Sequence, residues 1–326
     1  MVLILSTPFD NTTDNIIDWL YFMGIKYNRL NDIDFYQKKS VQILIDKKEI
    51  CIVVDNINVS NNIDIVWLRR WGLTDNDFRI NATDMNSVAI SLLRHFKQEF
   101  KVLTDILFAK NKEKFFITNP NQYEVNKIST LLIAQNIGLK VPDFLISNNK
   151  TDIVNFRTKN TQLITKPLSQ LATFKYASSF YYSYTSVVNA SFNESSSDIG
   201  ITFFQKKINK QYEVRVFYLL GECYSMAIFS QFDEKTAVDF RSYNEEKPNR
   251  YVPYTLPSDI SRDIGSLMEI LKLDTGSLDF IVSTTGEFFF LEVNPVGQFG
   301  MLSFPCNYNL EKIVAEKIKN KILKDE

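Results

Sequence analysis

With 326 residues, the chain is long enough for two or three structural units, and with 45% hydrophobic and 23% charged residues it has the balance of a globular protein. Its net charge of -1 leaves no basic excess for nucleic acid, and no apolar run approaches the ~18 residues that span a membrane. Three scattered cysteines (Cys51, Cys223 and Cys306) and one histidine (His95) exclude a CxxC zinc or redox motif and a multi-histidine metal site. Free thiols, and an opening apolar run (Met1 to Leu5) too short and too poorly flanked for a signal peptide, predict a cytoplasmic protein.

Strands and helices alternate over residues 1 to about 110, which implies an α/β layer structure. Val2 to Leu5 reads as a buried strand, and Asp14 to Met23 as a helix, with Ile16, Ile17, Trp19, Leu20 and Met23 at helical spacing. Gln42 to Ile45 and Ile50 to Val54 predict a hairpin across Lys47-Lys48, and Ile65 to Leu68 a strand ending at Arg69-Arg70. A long helix follows over residues 86–109, with His95 on its surface or in packing.

A helix is expected from Tyr123 to Gln135, with Gly138 as its C-cap, then strands at Phe144 to Ile146 and Leu163 to Leu168. From Ile201 the chain is strand-rich: Ile201 to Gln205, Glu213 to Leu219 and Cys223 to Ser230, then a loop to about Pro257. A helix over 258–271 precedes an apolar hairpin, and an amphipathic helix over 309–324 closes the chain.

That hairpin carries chemistry. If Thr285-Gly286 is a two-residue loop, Thr284 pairs with Glu287 and Asp279 lies opposite Glu292, with both side chains on one face. Asn294 shares that face. Two carboxylates and an amide oxygen inside apolar strands repel or strand each other unless a cation joins them, and oxygen ligands suit magnesium. Magnesium held by one or two carboxylates usually has nucleotide phosphates completing its shell.

The order of motifs is wider than the hairpin. Asn126-Lys127 opens a helix; Thr165-Lys166-Pro167 carries a lysine in apolar company; Phe203-Phe204-Gln205-Lys206-Lys207-Ile208 reads as a connecting strand; Glu213-Val214-Arg215 follows, then Asp279 and Glu292-Val293-Asn294-Pro295. This order resembles the ATP-grasp superfamily. Asp239-Phe240-Arg241-Ser242-Tyr243, Lys247 to Arg250, Gly276 to Asp279 and Val296-Gly297-Gln298-Phe299-Gly300 narrow the resemblance to the graspetide synthetases, over essentially the whole chain.

The resemblance implies an α/β (α+β) protein with an ATP-grasp fold. It places an N-terminal α/β domain over 1–115, a central ATP-grasp subdomain over 116–200, and a metal-carrying subdomain over 201–326. ATP would be clamped between the last two. Lys127 and Lys166 would meet phosphate oxygens as point charges, and Gln205, Lys206, Lys207 and Ile208 would line the adenine through backbone groups. Arg215 and Arg241 would act at the reacting phosphate or the substrate carboxylate. Asp279, Glu292 and Asn294 would hold Mg2+.

Two departures from the family stand out. Lys206 and Lys207 occupy the place of an acidic ribose-binding residue, with Glu213 as a substitute, and the phosphate-covering stretch Leu168 to Ser179 has no glycine. There Ser169, Thr173, Ser178 and Ser179 offer hydroxyls instead.

The reaction implied is that of an ADP-forming carboxylate–amine or carboxylate–alcohol ligase. Asp or Glu side chains of a ribosomal precursor peptide (leader plus core) become acyl phosphates and are joined to Ser/Thr hydroxyls or Lys amines of the same peptide. The partners implied are that peptide and a second copy of the chain, with no nucleic acid and no membrane. Arg69 and Arg70 are candidates for an acidic peptide. The alternative is an ATP-grasp ligase that adds a free amino acid to a protein or small molecule.

Overall fold

A computed structural model describes the chain except for residues 36–39, 47–48, 74–86, 123, 170–172, 177–178, 190–198, 243 and 326. The chain divides into two compact units, 1–123 with 309–326, and 124–308.

The first unit begins with β1 (Val2–Ser6), buried along its whole length as the apolar run predicts. Then come α1 (Asn11–Phe22), β2 (Tyr27–Asn31), β3 (Val41–Ile45), β4 (Ile50–Val54), β5 (Ile57–Asn58), β6 (Ile65–Leu68), α2 (Ser87–Lys110) and β7 (Phe115–Ile117). Strands β2, β1, β6 and β7 form a parallel sheet in that order, while β3, β4 and β5 form a small antiparallel one. The predicted β3–β4 hairpin is present; its Lys47-Lys48 turn lies outside the described residues. Leu3, Leu5, Leu30, Val66, Leu68, Trp71, Leu93, Phe100 and Leu107 share one core, and Trp71 Nε1 donates to Thr104 Oγ1 at 3.0 Å. Each such side chain, fully buried, contributes roughly 1.5–3 kcal/mol. His95 is exposed on α2.

Arg69 departs from expectation. It is 2% exposed, with Nε 3.5 Å from Asp10 Oδ2, beside the buried hydroxyls of Ser6 and Thr13. A guanidinium buried on a carboxylate is internal structure, so Arg69 has no surface to offer a peptide.

The second unit contains α3 (Lys127–Asn136), β8 (Phe144–Ser147), α4 (Lys150–Lys159), β9 (Leu163–Lys166), β10 (Thr173–Tyr176), β11 (Ser179–Tyr182), β12 (Ser186–Val187), β13 (Thr202–Lys206), β14 (Lys210–Leu219), β15 (Glu222–Phe229), β16 (Arg250–Tyr254), α5 (Ser258–Ile270), β17 (Thr275–Ser283), β18 (Phe288–Asn294) and α6 (Gly300–Cys306). The final helix, α7 (Leu310–Asp325), packs on α1 in the first unit, with Lys312 Nζ 5.6 Å from the Trp19 ring centre. No described helix is long and apolar enough to cross a membrane.

Among the described residues three antiparallel sheets build the second unit: β12-β9-β13-β8, β16-β15-β14-β17-β18 and the two-stranded β10-β11. One face of the five-stranded sheet supplies Val214, Val216, Leu278, Phe280 and Val293 to a core with Leu131 and Ala134 of α3 and Ile264, Leu267 and Met268 of α5. Helix α3 starts later than its apolar pattern suggests. Asn126 sits in extended backbone and its side chain accepts the Ser129 N–H at 2.9 Å, which fixes Lys127 as the first helical residue. Gly138, at φ +100°, closes the helix as expected.

Three elements have weak sequence signals. Strand β16 reads as loop because of Pro253, but it is the edge strand, where a missing N–H costs no ladder bond. Helix α4 has one fully buried residue, Ile153, and rests on the Asn149 cap. Helix α6 spans only Gly300–Cys306 and contains Pro305.

Candidate active site

The acidic hairpin reaches its register by a different route from the one expected. Ser283 N donates to Glu287 O and Gly286 N to Ser283 O, both at 2.9 Å, so the loop is the three residues Thr284-Thr285-Gly286. Gly286 lies at φ +82°, the left-handed position such a loop requires. The pairing near the loop is therefore shifted by one, with Phe280 opposite Phe290. A bulge at Leu291 then restores it, so that Asp279 faces Glu292 and Ser277 faces Asn294. The bulge also turns both Leu291 and Glu292 toward the same cleft, which strict alternation forbids.

Strand β14 extends that row. Arg215 pairs with Asp279, which pairs with Glu292, a single rung across three strands. Arg215 Nη1 lies 3.0 and 3.2 Å from the two Asp279 oxygens. Lys127 Nζ and Arg241 Nη1 reach Glu292 at 3.3 and 3.2 Å. Lys127 also donates to the carbonyls of Pro167 and Ser169, each at 3.2 Å. Each carboxylate of the pair is thus capped by a cation. Burial pushes the Asp279 carboxyl up against the pull of Arg215. At Glu292 burial acts the same way, but Lys127, Lys166 and Arg241 together hold it below the usual range.

Asp279 and Glu292 of this rung form one wall of an open cleft in the second unit. Lys166, Gln205, Lys206, Lys207, Ile208, Glu213, Arg241, Asp279 and Glu292 all line it. Lys127 and Arg215 lie behind the lining and reach it through the carboxylates they hold. Asn294 stands exposed on the next rung, its Oδ1 accepting from the N–H groups of Val296 and Gly297 at 3.2 and 3.4 Å.

Lys166 faces the rung from β9, over the Phe203 ring at 5.5 Å. Its pKa falls to about 8, chiefly by desolvation, with Lys127 and Arg241 adding repulsion. In the free protein the unfolded chain therefore keeps this proton to a higher pH than the folded one, and stability attributable to Lys166 rises as pH climbs from about 8 toward 10.5. A polyanion in the cleft favours the ammonium form and reverses the balance. With the nucleotide that the resemblance implies as ligand, ADP affinity is expected to fall above about pH 8, with uptake of up to one proton per nucleotide in calorimetry run at that pH in buffers of differing ionisation heat. Lys166→Met should remove that pH dependence; a variant that keeps it would refute the assignment.

Gln205 is fully buried on β13, and among the described residues neither its Oε1 nor its Nε2 has a hydrogen-bond partner. The backbone N–H groups of Lys206 and Lys207 are taken by Asp143 O (2.8 Å) and Gln162 O (2.9 Å). The Gln205 side-chain amide is thus an uncommitted donor–acceptor pair in the cleft lining, beside the backbone of Ile208, and no pattern in the sequence singles it out. A buried unpaired amide costs about 1–3 kcal/mol and matches the donor–acceptor edge of adenine. Gln205→Leu should therefore stabilise the free protein by about 1 kcal/mol in urea denaturation while weakening ADP binding roughly tenfold or more. A destabilised variant, or one with unchanged ADP affinity, would contradict this.

Glu213 is less free than expected of a ribose ligand. Its Oε1 receives the Lys210 ammonium and the Ser230 hydroxyl (2.9 Å), and Lys210 also bonds Ser230 Oγ at 2.7 Å and Thr236 O at 3.2 Å. Burial pushes its carboxyl up against Lys210. Lys210 was not foreseen; it ties the segment after β15 to the cleft floor.

The glycine-free stretch after Lys166 leads into a hairpin, β10 paired with β11. Ser178 lies outside the described residues. The donor set fits a magnesium nucleotide: two carboxylates on one rung, lysine and arginine around them, and an unpaired amide in the same lining.

No protein-family profile and no curated protein matches the chain. Solved structures do. A RiPP-associated ATP-grasp ligase of Chryseobacterium gregarium, in complex with ADP and a leader and core peptide, superposes with a TM-score of 0.80 at 23% identity, covering 100% of this chain and 97% of that one. The macrocyclase MdnC of Microcystis aeruginosa, bound with precursor peptide MdnA, gives 0.80 at 23% identity over 98% and 99% of the two chains. The ATP-grasp ligase PsnB, complexed with minimal precursor, Mg and ADP, gives 0.79 at 16% identity over 98% and 96%. From end to end, the chain has the fold of these ATP-grasp ligases.

Proposed function

We propose that this protein is an ATP-dependent peptide macrocyclase. It activates Asp or Glu side chains of a ribosomal precursor peptide and joins them to Ser/Thr hydroxyls or Lys amines of the same peptide. The observation that carries the reading is the rung Arg215–Asp279–Glu292 facing Lys166 and the unpaired Gln205 amide across one cleft. The likeness to ligases solved with ADP and precursor peptides supports it.

In this reading Asp279, Glu292 and Asn294 hold Mg2+, Lys127 and Lys166 hold phosphate oxygens, Gln205 with residues 206–208 holds adenine, and Glu213 lies nearest the ribose. ATP, when bound with Mg2+, supplies the phosphoryl group that turns a carboxylate into a displaceable acyl phosphate. Arg215 and Arg241 orient and neutralise the anionic oxygens of the reaction. Among the described residues, nothing in the cleft demands a histidine base: positioning and charge neutralisation are what this chemistry asks of the protein. The reading includes a cytoplasmic homodimer, which sedimentation would report as two chains.

The test is mass spectrometry of the precursor peptide after incubation with the protein, ATP and magnesium. Loss of one water's mass per crosslink, with ADP released, is expected. A gain equal to one amino-acid residue would assign a free-amino-acid ligase instead.

A further inference from the structure

Asp239 is buried beside the cleft, and the proposed function gives it no role. Its Oδ1 accepts from Arg241 Nε at 2.8 Å and from the Arg241 backbone N–H at 3.1 Å. Its Oδ2 accepts from Arg241 Nη2 at 3.0 Å and from the Thr185 N–H at 3.4 Å. Two parallel bonds fix the plane of the guanidinium, and the backbone bond fixes the residue that carries it. Arg241 is 41% exposed, where a long side chain otherwise samples several rotamers. The remaining donor, Nη1, is left pointing at Glu292 Oε1, 3.2 Å away. Thr185 lies between β11 and β12, so the same carboxylate ties the Arg241 segment to the sheet that bears Lys166.

Burial alone raises the Asp239 carboxyl, but the bonds and charge of Arg241 outweigh it and hold the group ionised. The Asp239 charge in turn offsets that of the guanidinium. Arg241 then acts less as net positive charge than as one aimed N–H.

We propose that Asp239 is a positioning residue for the ligase reaction, holding Arg241 so that Nη1 is the guanidinium donor offered to an anionic oxygen in the cleft. This role rests on the proposed function. It distinguishes aim from charge: Arg241→Lys keeps the charge, cannot take the fork, and should fail.

The experiment compares wild type, Asp239→Asn, Arg241→Lys and the double variant by ADP release with precursor peptide, by calorimetry with Mg·ADP, and by 15N NMR of the Arg241 Nε–H, assigned by its absence in Arg241→Lys. Asp239→Asn should lower kcat about a hundredfold, as a misaimed group does, with KM for ATP held within about threefold. The double variant should be no slower than Arg241→Lys, and the Nε–H resonance, slowly exchanging in wild type, should be lost in Asp239→Asn. Should thermal melting show that variant unfolded, Asp239→Glu, which keeps the charge but displaces the fork, is expected to give the same loss of kcat.

Losses that multiply in the double variant, or an Asp239 variant as fast as wild type, would overturn the assignment while leaving the ligase reading intact. Wild type that binds no Mg·ADP overturns the ligase reading, and this role with it.

Discussion

Glu292→Gln should lower precursor-dependent ADP release about a thousandfold, the scale of losing one preorganised charge at a reacting phosphate, while leaving the fold almost as stable as before. The kinetic half follows from position. Glu292 stands on the rung beside Asp279 and faces the cleft. An amide there keeps the shape and one oxygen but loses the charge that a divalent cation needs. The magnesium concentration for half-maximal rate should rise together with the fall in turnover.

The stability half follows from the neighbours. Glu292 is 23% exposed, and both its cations have other partners: Lys127 the carbonyls of Pro167 and Ser169, and Arg241 the Asp239 fork. With its cations held by those other partners, losing this partly buried pair should cost about 1 kcal/mol. A Glu292→Gln protein that turns over within tenfold of wild type at saturating magnesium would remove Glu292 from the metal set.

Much of this site was legible in the sequence, for a physical reason. Side chains in strands alternate, so Asp279, Glu292 and Asn294 inside apolar runs had to leave the core by one face, and the cross-strand partner followed from the hairpin. Asp279 faces Glu292 whether the loop has two residues or three, because the bulge at Leu291 cancels the longer turn. A bulge has no residue signature strong enough to be seen before pairing is known. The same limit hid Lys210, the side chain of Gln205 and the part played by Asp239, which the sequence presents only as a member of its motif. Each matters through partners distant in the chain: Asp239 through Thr185, Lys210 through Ser230 and Thr236, and Gln205 through the lack of any. Arg69 erred in the opposite sense, since a strand-end arginine reads as surface until Asp10 is seen beside it.

Arg215 and Asp279 should behave unlike Glu292, because their pair is closed. The two side chains are 8% and 13% exposed, and among the described residues Arg215 Nε has no partner. Two effects oppose each other here. The pair sits in low dielectric, where its attraction is strong, yet both charges have been taken from water to form it. Deleting either member leaves the other buried and uncompensated, so Arg215→Met and Asp279→Leu should each cost about 3 kcal/mol or more in urea denaturation. Replacing both with apolar side chains removes both desolvation penalties as well as the attraction. Arg215→Met with Asp279→Leu should therefore be more stable than the sum of the single changes predicts by at least about 1 kcal/mol. The double protein should fold and still release no ADP, because the rung then holds one carboxylate and no arginine. Additive losses would mean that the pair is wet and weak; a double variant with measurable turnover would mean that the phosphate is handled elsewhere in the cleft.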